Sequence, residues 1–574
     1  MKMVYLLVLS CSILHAQVLF EDQAVQLGAG VEYGTIAYGA GVSFYDFDSD
    51  GLDDITLAGS NENNFHFLKN MGGNFQEVTL GIDNNNSHTK QVIWVDYDND
   101  GDSDFFSTSI QDISKLFRNN GNGTFTDVTF SAGFPGVIYQ TYGASWGDYN
   151  NDGLLDVFFS IRDNVIPNIL YKNNGDGTFT NVTIEAGLET IGYMSFCAAF
   201  FDFNNDGFQD IIVANDKYDF ANLLYKNNGN GTFENVSGVS GTGIEMDAMS
   251  TTVGDYDGDG WMDIYITNSF PAPPGQVEGN VFFRNNTDGT FSNVAVATGT
   301  QFNSNGWGAV FFDADNDTNL DLYVSGEGDG TNGLLPSAFY KNNGDGTFSI
   351  PTNAGFEDDI KYSFSNAIGD IDNDGYPEII VMNNNYENIF LWKNNTPQNG
   401  NWLKVKLEGV NSNRMGVGSW IEVSAGGNVM YNYTLCGEGY LSQNSSYEFF
   451  GLGGNNIVDY VKVTWLSGAI DYLENISINQ AITIVEGSSP LSIEEDYYNL
   501  AQIYPNPAGD VIVLKQKYPE NVNISFYDMS GREIMSTTVS EEINPINIHS
   551  LSSGCYLVTI QTEEKLVTKK IVIR

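Results

Sequence analysis

One nine-residue pattern, D-x-D/N-x-D-G-x-x-D, recurs seven times between residues 46 and 378. In the first copy, DFDSDGLDD, Asp46, Asp48 and Asp50 hold positions 1, 3 and 5, the backbone carbonyl of Leu52 falls at position 7, and Asp54 closes the set at position 9. The second offers Asp96, Asp98, Asp100, the carbonyl of Asp102, and Asp104; the third offers Asp148, Asn150, Asp152, Leu154 and Asp156. Asp202, Asn204, Asp206, Phe208 and Asp210 form the fourth set, and Asp255, Asp257, Asp259, Trp261 and Asp263 the fifth. The last two are Asp313, Asp315, Asp317, Asn319 and Asp321, then Asp370, Asp372, Asp374, Tyr376 and Glu378. Oxygen-only ligands at this spacing suit a hard cation, and Ca²⁺ tolerates their irregular geometry better than Mg²⁺. Glycine at position 6 permits the sharp turn that folds the oxygens around one point. The expectation is up to seven Ca²⁺, one per loop.

Two other readings compete. An EF-hand needs a bidentate Glu at position 12 and flanking helices; position 12 of the first loop is Leu57, and its flanks read as strands. A solvated acidic turn without metal is the stronger rival. It weighs most for the sixth copy, where Thr318 stands in place of Gly. Asn150 and Asn204 can ligate through the amide oxygen, and Glu378 keeps an oxygen ligand in the seventh copy.

These loops need elements to hold them. Their start-to-start spacings are 50, 52, 54, 53, 58 and 57 residues, a period that marks a stacked or radial repeat. Each loop follows an apolar or small-residue segment and leads into a β-rich run such as DIIVAN. A second phrase then follows, as in LYKNNGDGTFTNVT at 170–183, whose Asn/Asp-Gly pairs mark a tight hairpin. Four short strands per unit, seven times over, predict an all-β, seven-bladed β-propeller across 17–399. The seventh unit lacks its last strand, and VLFED near residues 18–22 resembles it, so the leading segment is expected to complete blade seven and close the ring. Phe179, Phe233, Trp94, Trp146 and Trp307 read as blade core, and the Lys/Arg-Asn-Asn phrase as a fold element.

The net charge of −49, from 24 basic and 73 acidic residues, falls almost wholly on 18–399. That balance excludes free nucleic acid as a partner and disfavours an anionic membrane surface. Seven divalent ions would offset only part of it. Residues 1–16 read as a secretory signal peptide, and no run reaches transmembrane length. Cys197, Cys436 and Cys555 are far apart and are expected as buried free thiols. Beyond the ring, 400–487 reads as a small β-sandwich-like domain, with Arg414 and Glu438 in exposed or structural roles. Residues 488–498 read as a linker and 499–574 as a compact β-rich domain.

The seven loops resemble the FG-GAP and VCBS-type propeller repeats, related to those of integrin α-subunits, which implies a calcium-stabilised propeller with structural ions near one face. The stretches SNRMGVGSWIEV, GEGYLSQNSSYEFFGLG and VDYVKVTWLSG resemble the ASPIC/UnbV domain, in an order similar to that of extracellular cartilage-acidic-protein relatives. The His usual before the FGLG phrase is replaced by Phe449-Phe450, so no role for it carries over. Tyr504-Pro505-Asn506-Pro507, Asp528 with Gly531-Arg532, Gly554 with Tyr556, and the final KKIVIR resemble a type A sorting domain of the type IX secretion system. This implies a secreted or outer-membrane surface protein of a Bacteroidetes-type Gram-negative bacterium, with the secretion machinery as a partner. The function expected is that of a calcium-binding protein that binds an extracellular glycan or protein ligand, in adhesion or recognition, sought near the long insertions of blades five and six. The alternatives are a polysaccharide lyase or hydrolase on the same scaffold, or a structural matrix component. No catalytic constellation stands out around His66, His88 or His549.

Overall fold

The computed structural model describes residues 17–59, 64–83, 88–269, 272–328 and 330–489, and in the C-terminal segment 501–504, 508–509, 511–516, 521–528, 532–541, 543–561 and 566–573. The signal-peptide reading of 1–16, Pro505 to Pro507, Gly531 and most of the 488–498 linker lie outside the described residues. Among the described residues no helix is long and apolar enough to cross a membrane.

Seven blades of four antiparallel strands follow one another, the first extended by a fifth, parallel strand, Ser442–Gln443. Their inner strands are Val42–Phe44, Thr89–Val95, Thr141–Gly147, Ser195–Phe201, Ala248–Gly254, Gly306–Phe312 and Ser363–Gly369. Because both faces of each inner strand are covered, these segments are mostly apolar or small instead of alternating, with Lys90, Gln91 and Asn366 as buried polar exceptions. Each packs against the next, and Ser363–Gly369 packs against Val42–Phe44, so the row is a closed ring. Phe20–Asp22 pairs antiparallel with Phe390–Asn394 as the outer strand of blade seven, with Phe20 opposite Asn394. The leading strand therefore closes the ring, as the sequence predicts.

The repeated Asn of the Lys/Arg-Asn-Asn phrase stitches blades together. Asn173 Nδ2 donates to Tyr97 O of the preceding blade at 2.8 Å and to Leu155 O at 3.1 Å. Asn227 does the same to Tyr149 O and Gln209 O, and Asn285 to Phe203 O and Met262 O. Asn70 reaches Ile371 O at 2.8 Å, which joins blade one to blade seven. Phe179 packs at 5.9 Å on Tyr97, and Phe233 at 5.7 Å on Tyr149, so both are blade-to-blade core.

Residues 401–485 form two facing sheets. One joins Asn401–Glu408 to Glu448–Gly453 and Gln480–Val485; the other joins Trp420–Ala425 to Asn428–Tyr433, Val458–Thr464 and Ile470–Ile476. Leu403, Val405, Ile421, Val423, Val461 and Trp465 fill the space between them. This sandwich and the ring make one compact unit. Its loop around 436–445 enters the middle of the ring. Ser442–Gln443 adds parallel to Val42–Phe44, and Tyr440 and Leu441 are buried among Tyr142, Phe196, Met249, Trp307 and Phe364 of five different blades. Glycines make that insertion possible: a Cβ on Gly437 would meet Ala144 O at 2.4 Å, and one on Gly41 would meet Leu441 O at 2.3 Å. Glu438, at the base of this loop, is held by Asn444 N–H, which donates to its Oε1 at 3.1 Å.

Residues from 501 onward make a second unit with its own core of Ile512, Leu514, Ile524, Phe526, Val558 and Ile571. Cys197 and Cys436 are buried free thiols, but Cys555 is exposed. The correction follows from strand alternation: Tyr556 points into that core, so its neighbour Cys555 points out.

Candidate metal centre

Each acidic loop joins the inner strand of its blade to the second strand, so all seven lie at one end of the ring. The local fold is the same in each. The position-1 carboxylate accepts the N–H groups of positions 5 and 6: Asp50 N and Gly51 N donate to Asp46 at 3.1 and 2.9 Å, and Asp259 N and Gly260 N donate to Asp255 at 3.1 and 2.9 Å. The position-5 carboxylate accepts the position-7 N–H, fixing the backbone of Leu52, Asp102, Leu154, Phe208, Trp261, Asn319 and Tyr376 at 2.9–3.2 Å. The position-9 carboxylate is the deepest. Asp54, Asp104, Asp156, Asp210, Asp263, Asp321 and Glu378 are buried, and each accepts the N–H of the stitching Asn of its own blade.

In five loops three carboxylates converge so that one oxygen from each lies within 4.8 Å of the others: Asp46/Asp48/Asp50, Asp96/Asp98/Asp104, Asp255/Asp257/Asp259, Asp313/Asp315/Asp321 and Asp370/Asp372/Asp374. The loops with Asn150 and Asn204 at position 3 form no such triplet among the described residues; there an amide oxygen replaces a carboxylate.

Burial and mutual repulsion push these acids up. Burial, with Asp48 and Asp46 alongside, raises Asp54 to about 8; Asp104 rises to about 9 and Asp96 to about 7 for the same reasons. Asp156, Asp210 and Asp263 are driven well above the ordinary carboxylate range, chiefly by burial. Crowded acids this far from water need a compensating cation to stay ionised. A basic side chain supplies part of that charge: the Lys/Arg of the Lys/Arg-Asn-Asn phrase leans back over the loop of its own blade. Lys69 contacts Asp48 and Asp50, Lys172 lies 3.0 Å from Asp152, and Arg284 lies 2.7 Å from Asp257. Blade six goes furthest. Lys341 sits 2.9–3.1 Å from Asp315, Asp317 and Asp321 together, and Thr318 takes φ +84° where the other copies have Gly.

Position 4 was assigned no role by the spacing, yet it links the loops. Asn99 Nδ2 donates to Gly153 O at 2.8 Å, Asn151 to Gly207 O, Asn205 to Gly260 O, and Asn316 to Gly375 O. Asn373 donates to Gly51 O at 3.1 Å, which joins blade seven to blade one. The clue was present in the sequence: Asn at position 4 in five copies, a residue that tolerates the left-handed backbone found there.

The sandwich covers this end of the ring. Lys404 Nζ donates to Asp370 Oδ2 at 2.8 Å and to Asn373 Oδ1 at 2.6 Å, with both charged groups buried. Arg414 N donates to Asn99 Oδ1 at 2.9 Å, Gly453 N to Asn316 O at 2.8 Å, and Ser445 Oγ to Asp53 Oδ1 at 2.8 Å. Asn411 O lies against Gly153 of blade three, Gly418 against the Gln209 side chain of blade four, and the Tyr431 ring against Gly260 of blade five. Arg414 pairs with Glu408 at 2.6 Å.

The matches to known families follow the same divisions. The FG-GAP-like repeat matches residues 46–107, 96–159, 158–213, 202–266 and 327–381; the ASPIC and UnbV family matches 409–491; the secretion system C-terminal sorting domain matches 502–574. The chain carries FG-GAP repeats, an ASPIC/UnbV module and a type IX sorting domain. It is a secreted or surface protein of the type IX route. Cartilage acidic protein 1 of Mus musculus is 28% identical over 197 residues, 32% of this chain and 30% of that protein. Its Homo sapiens counterpart is 28% identical over 197 residues, 32% of this chain and 29% of that one. The match thus spans about a third of the length of these relatives. Among solved structures, PorZ, a surface component of the type-IX secretion system of Porphyromonas gingivalis, aligns over 93% of this chain and 81% of its own at 10% identity, with a TM-score of 0.21.

Proposed function

We propose that this chain is a calcium-loaded recognition protein, exported through the type IX route, whose ring is stiffened by Ca²⁺ and presents a binding face to an extracellular glycan or protein ligand. The supporting observation is the set of five carboxylate triplets within 4.8 Å, in loops where burial pushes the acids up. Asp46, Asp48, Asp50 and Asp54, with their counterparts around the ring, would hold the ions. Each ion would keep its carboxylates ionised and fix the loop on which the sandwich rests.

Metal analysis of the purified full chain before and after chelation tests this. Several Ca²⁺ per chain are expected, with chelation lowering the melting temperature. A site held at a hundred times its Kd stabilises the folded state by about 2.7 kcal/mol. A chain that binds no Ca²⁺ and melts identically in chelator refutes the metal reading. Loop six, with Thr318 and its embedded Lys341, is expected to fill last. A glycan array run beside polysaccharide digests separates recognition from depolymerisation.

A further inference from the structure

The inner strands end at the metal loops and begin at the opposite face of the ring. There, residues that follow the second strands of blades four, five and six meet the starts of the neighbouring inner strands around a cavity of about 170 Å³. Asp216 and Lys217 come from blade four, Asp247 and Ser269 from blade five, and Trp307 and Glu327 from blade six. Tyr38 closes the wall toward the ring centre.

The polar groups are built, not incidental. Asp216 is buried and paired with Arg162 Nε at 3.0 Å and Nη2 at 2.5 Å, and with Lys217 Nζ at 2.8 Å. The Arg162 guanidinium lies 4.5 Å over the Tyr38 ring and 4.9 Å over Phe196. Asp247 Oδ2 accepts the Ser269 hydroxyl at 2.8 Å, whereas its Oδ1 accepts no hydrogen bond among the described residues; Lys217 Nζ stands 3.8 Å away. A buried carboxylate oxygen with no donor among these groups is free of them to accept a hydrogen bond from a ligand hydroxyl. Glu327 Oε2 accepts the Trp307 indole N–H at 3.3 Å, and burial pushes its carboxyl up. Tyr38 is 39% exposed and held at φ +60°, with its carbonyl pinned by the Tyr440 hydroxyl at 2.7 Å. Bulky residues keep such a backbone only where the surroundings impose it.

Three acids face two cations, a net charge of −1, so an anion does not match the pocket, and Lys217, 2.8 Å from Asp216 and 3.8 Å from Asp247, stands against a strongly basic side chain. Donor and acceptor groups stand beside exposed aromatic surface, the combination that recognises vicinal hydroxyls on a ring with an apolar face. The volume is below the ~300–1,000 Å³ of pockets for drug-sized ligands, enough for a single ring. We propose that this channel-mouth pocket binds one neutral sugar ring of an extracellular saccharide, with Asp247 Oδ1 and Glu327 accepting its hydroxyls and Lys217 donating to its oxygens. This rests on the recognition reading above and names its site and ligand class.

Calorimetric titration of the full calcium-loaded chain tests it, with glucose, galactose, mannose, N-acetylglucosamine and their oligomers as probes and a lysine-rich tetrapeptide as the competing class. At least one neutral sugar series is expected to bind. Asp247→Asn and Lys217→Ala should each weaken it about tenfold, the value of one charged hydrogen bond, while melting temperature and bound Ca²⁺ stay unchanged. No sugar binding, sugar binding indifferent to both variants, or binding of the peptide alone would overturn the proposal. Failure of the calcium reading appears separately, as absent metal in a chain whose sugar titration is intact.

Discussion

Asn227→Ala tests the stitching that makes seven sheets one ring. Asn227 Nδ2 donates to Tyr149 O at 2.7 Å in the preceding blade and to Gln209 O at 2.9 Å in its own, and its Oδ1 accepts Gly229 N–H at 3.0 Å. All of this lies under a side chain with 1% exposure. Truncation removes three hydrogen bonds and leaves two buried carbonyls with one donor fewer, a cost of about 2–4 kcal/mol at about 0.5–1.5 kcal/mol each. A unit of this size has an unfolding entropy near ~1 kcal/mol/K, so the melting midpoint should drop by about 2–4 °C. The neighbouring Asn228 bonds instead to the exposed Thr232 hydroxyl at 3.1 Å. Asn228→Ala should stay within about 0.5 kcal/mol, as exposed substitutions do. Both variants are unfolded in denaturant at saturating calcium, followed by tryptophan fluorescence. Equal effects from the two, or none from Asn227→Ala, would refute the claim that this Asn carries the blade-to-blade joint.

Lys404→Met breaks the buried pair with Asp370 and should destabilise the chelated protein by about 3–5 kcal/mol; added calcium should reduce that loss, because the ion would then compensate Asp370, and denaturation with and without calcium reads the difference. Thr318→Gly should stabilise by about 1 kcal/mol in denaturant unfolding, because it relieves a β-branched residue from positive φ. Glu438 is pushed up from 4.5 to about 7 by burial beside the plug loop. Its neutral form is favoured by folding, so its stabilising contribution is complete below pH 4.5, shrinks as pH rises and is lost by about pH 7. The stability gap between wild type and Glu438→Gln should therefore change by about 3 kcal/mol across that window and level off above it, as read from denaturation at a series of pH values.

The ring was legible because its signals are local and repeated. Asp at positions 1, 5 and 9 with Gly at 6 specifies a turn whose chemistry needs no distant partner, and seven copies at near-constant spacing leave few architectures open. Even the closure by Phe20–Asp22 could be read, because blade seven visibly lacks a strand. The fold role of the Lys/Arg-Asn-Asn phrase was also legible, though not that its Asn reaches the previous blade. What the sequence could not show is contact between segments hundreds of residues apart. Tyr440 sits in the ring centre under Tyr38, Ser442–Gln443 adds to blade one, and Lys404 meets Asp370, although nothing local to 400–487 marks those residues as ring partners. The pocket around Asp247 draws residues from three blades, with Tyr38 beside them, outside the metal loops and the Lys/Arg-Asn-Asn phrase. Periodicity in a chain reports what each unit does for itself; only the tertiary structure decides which non-repeating side chains the closed ring brings face to face.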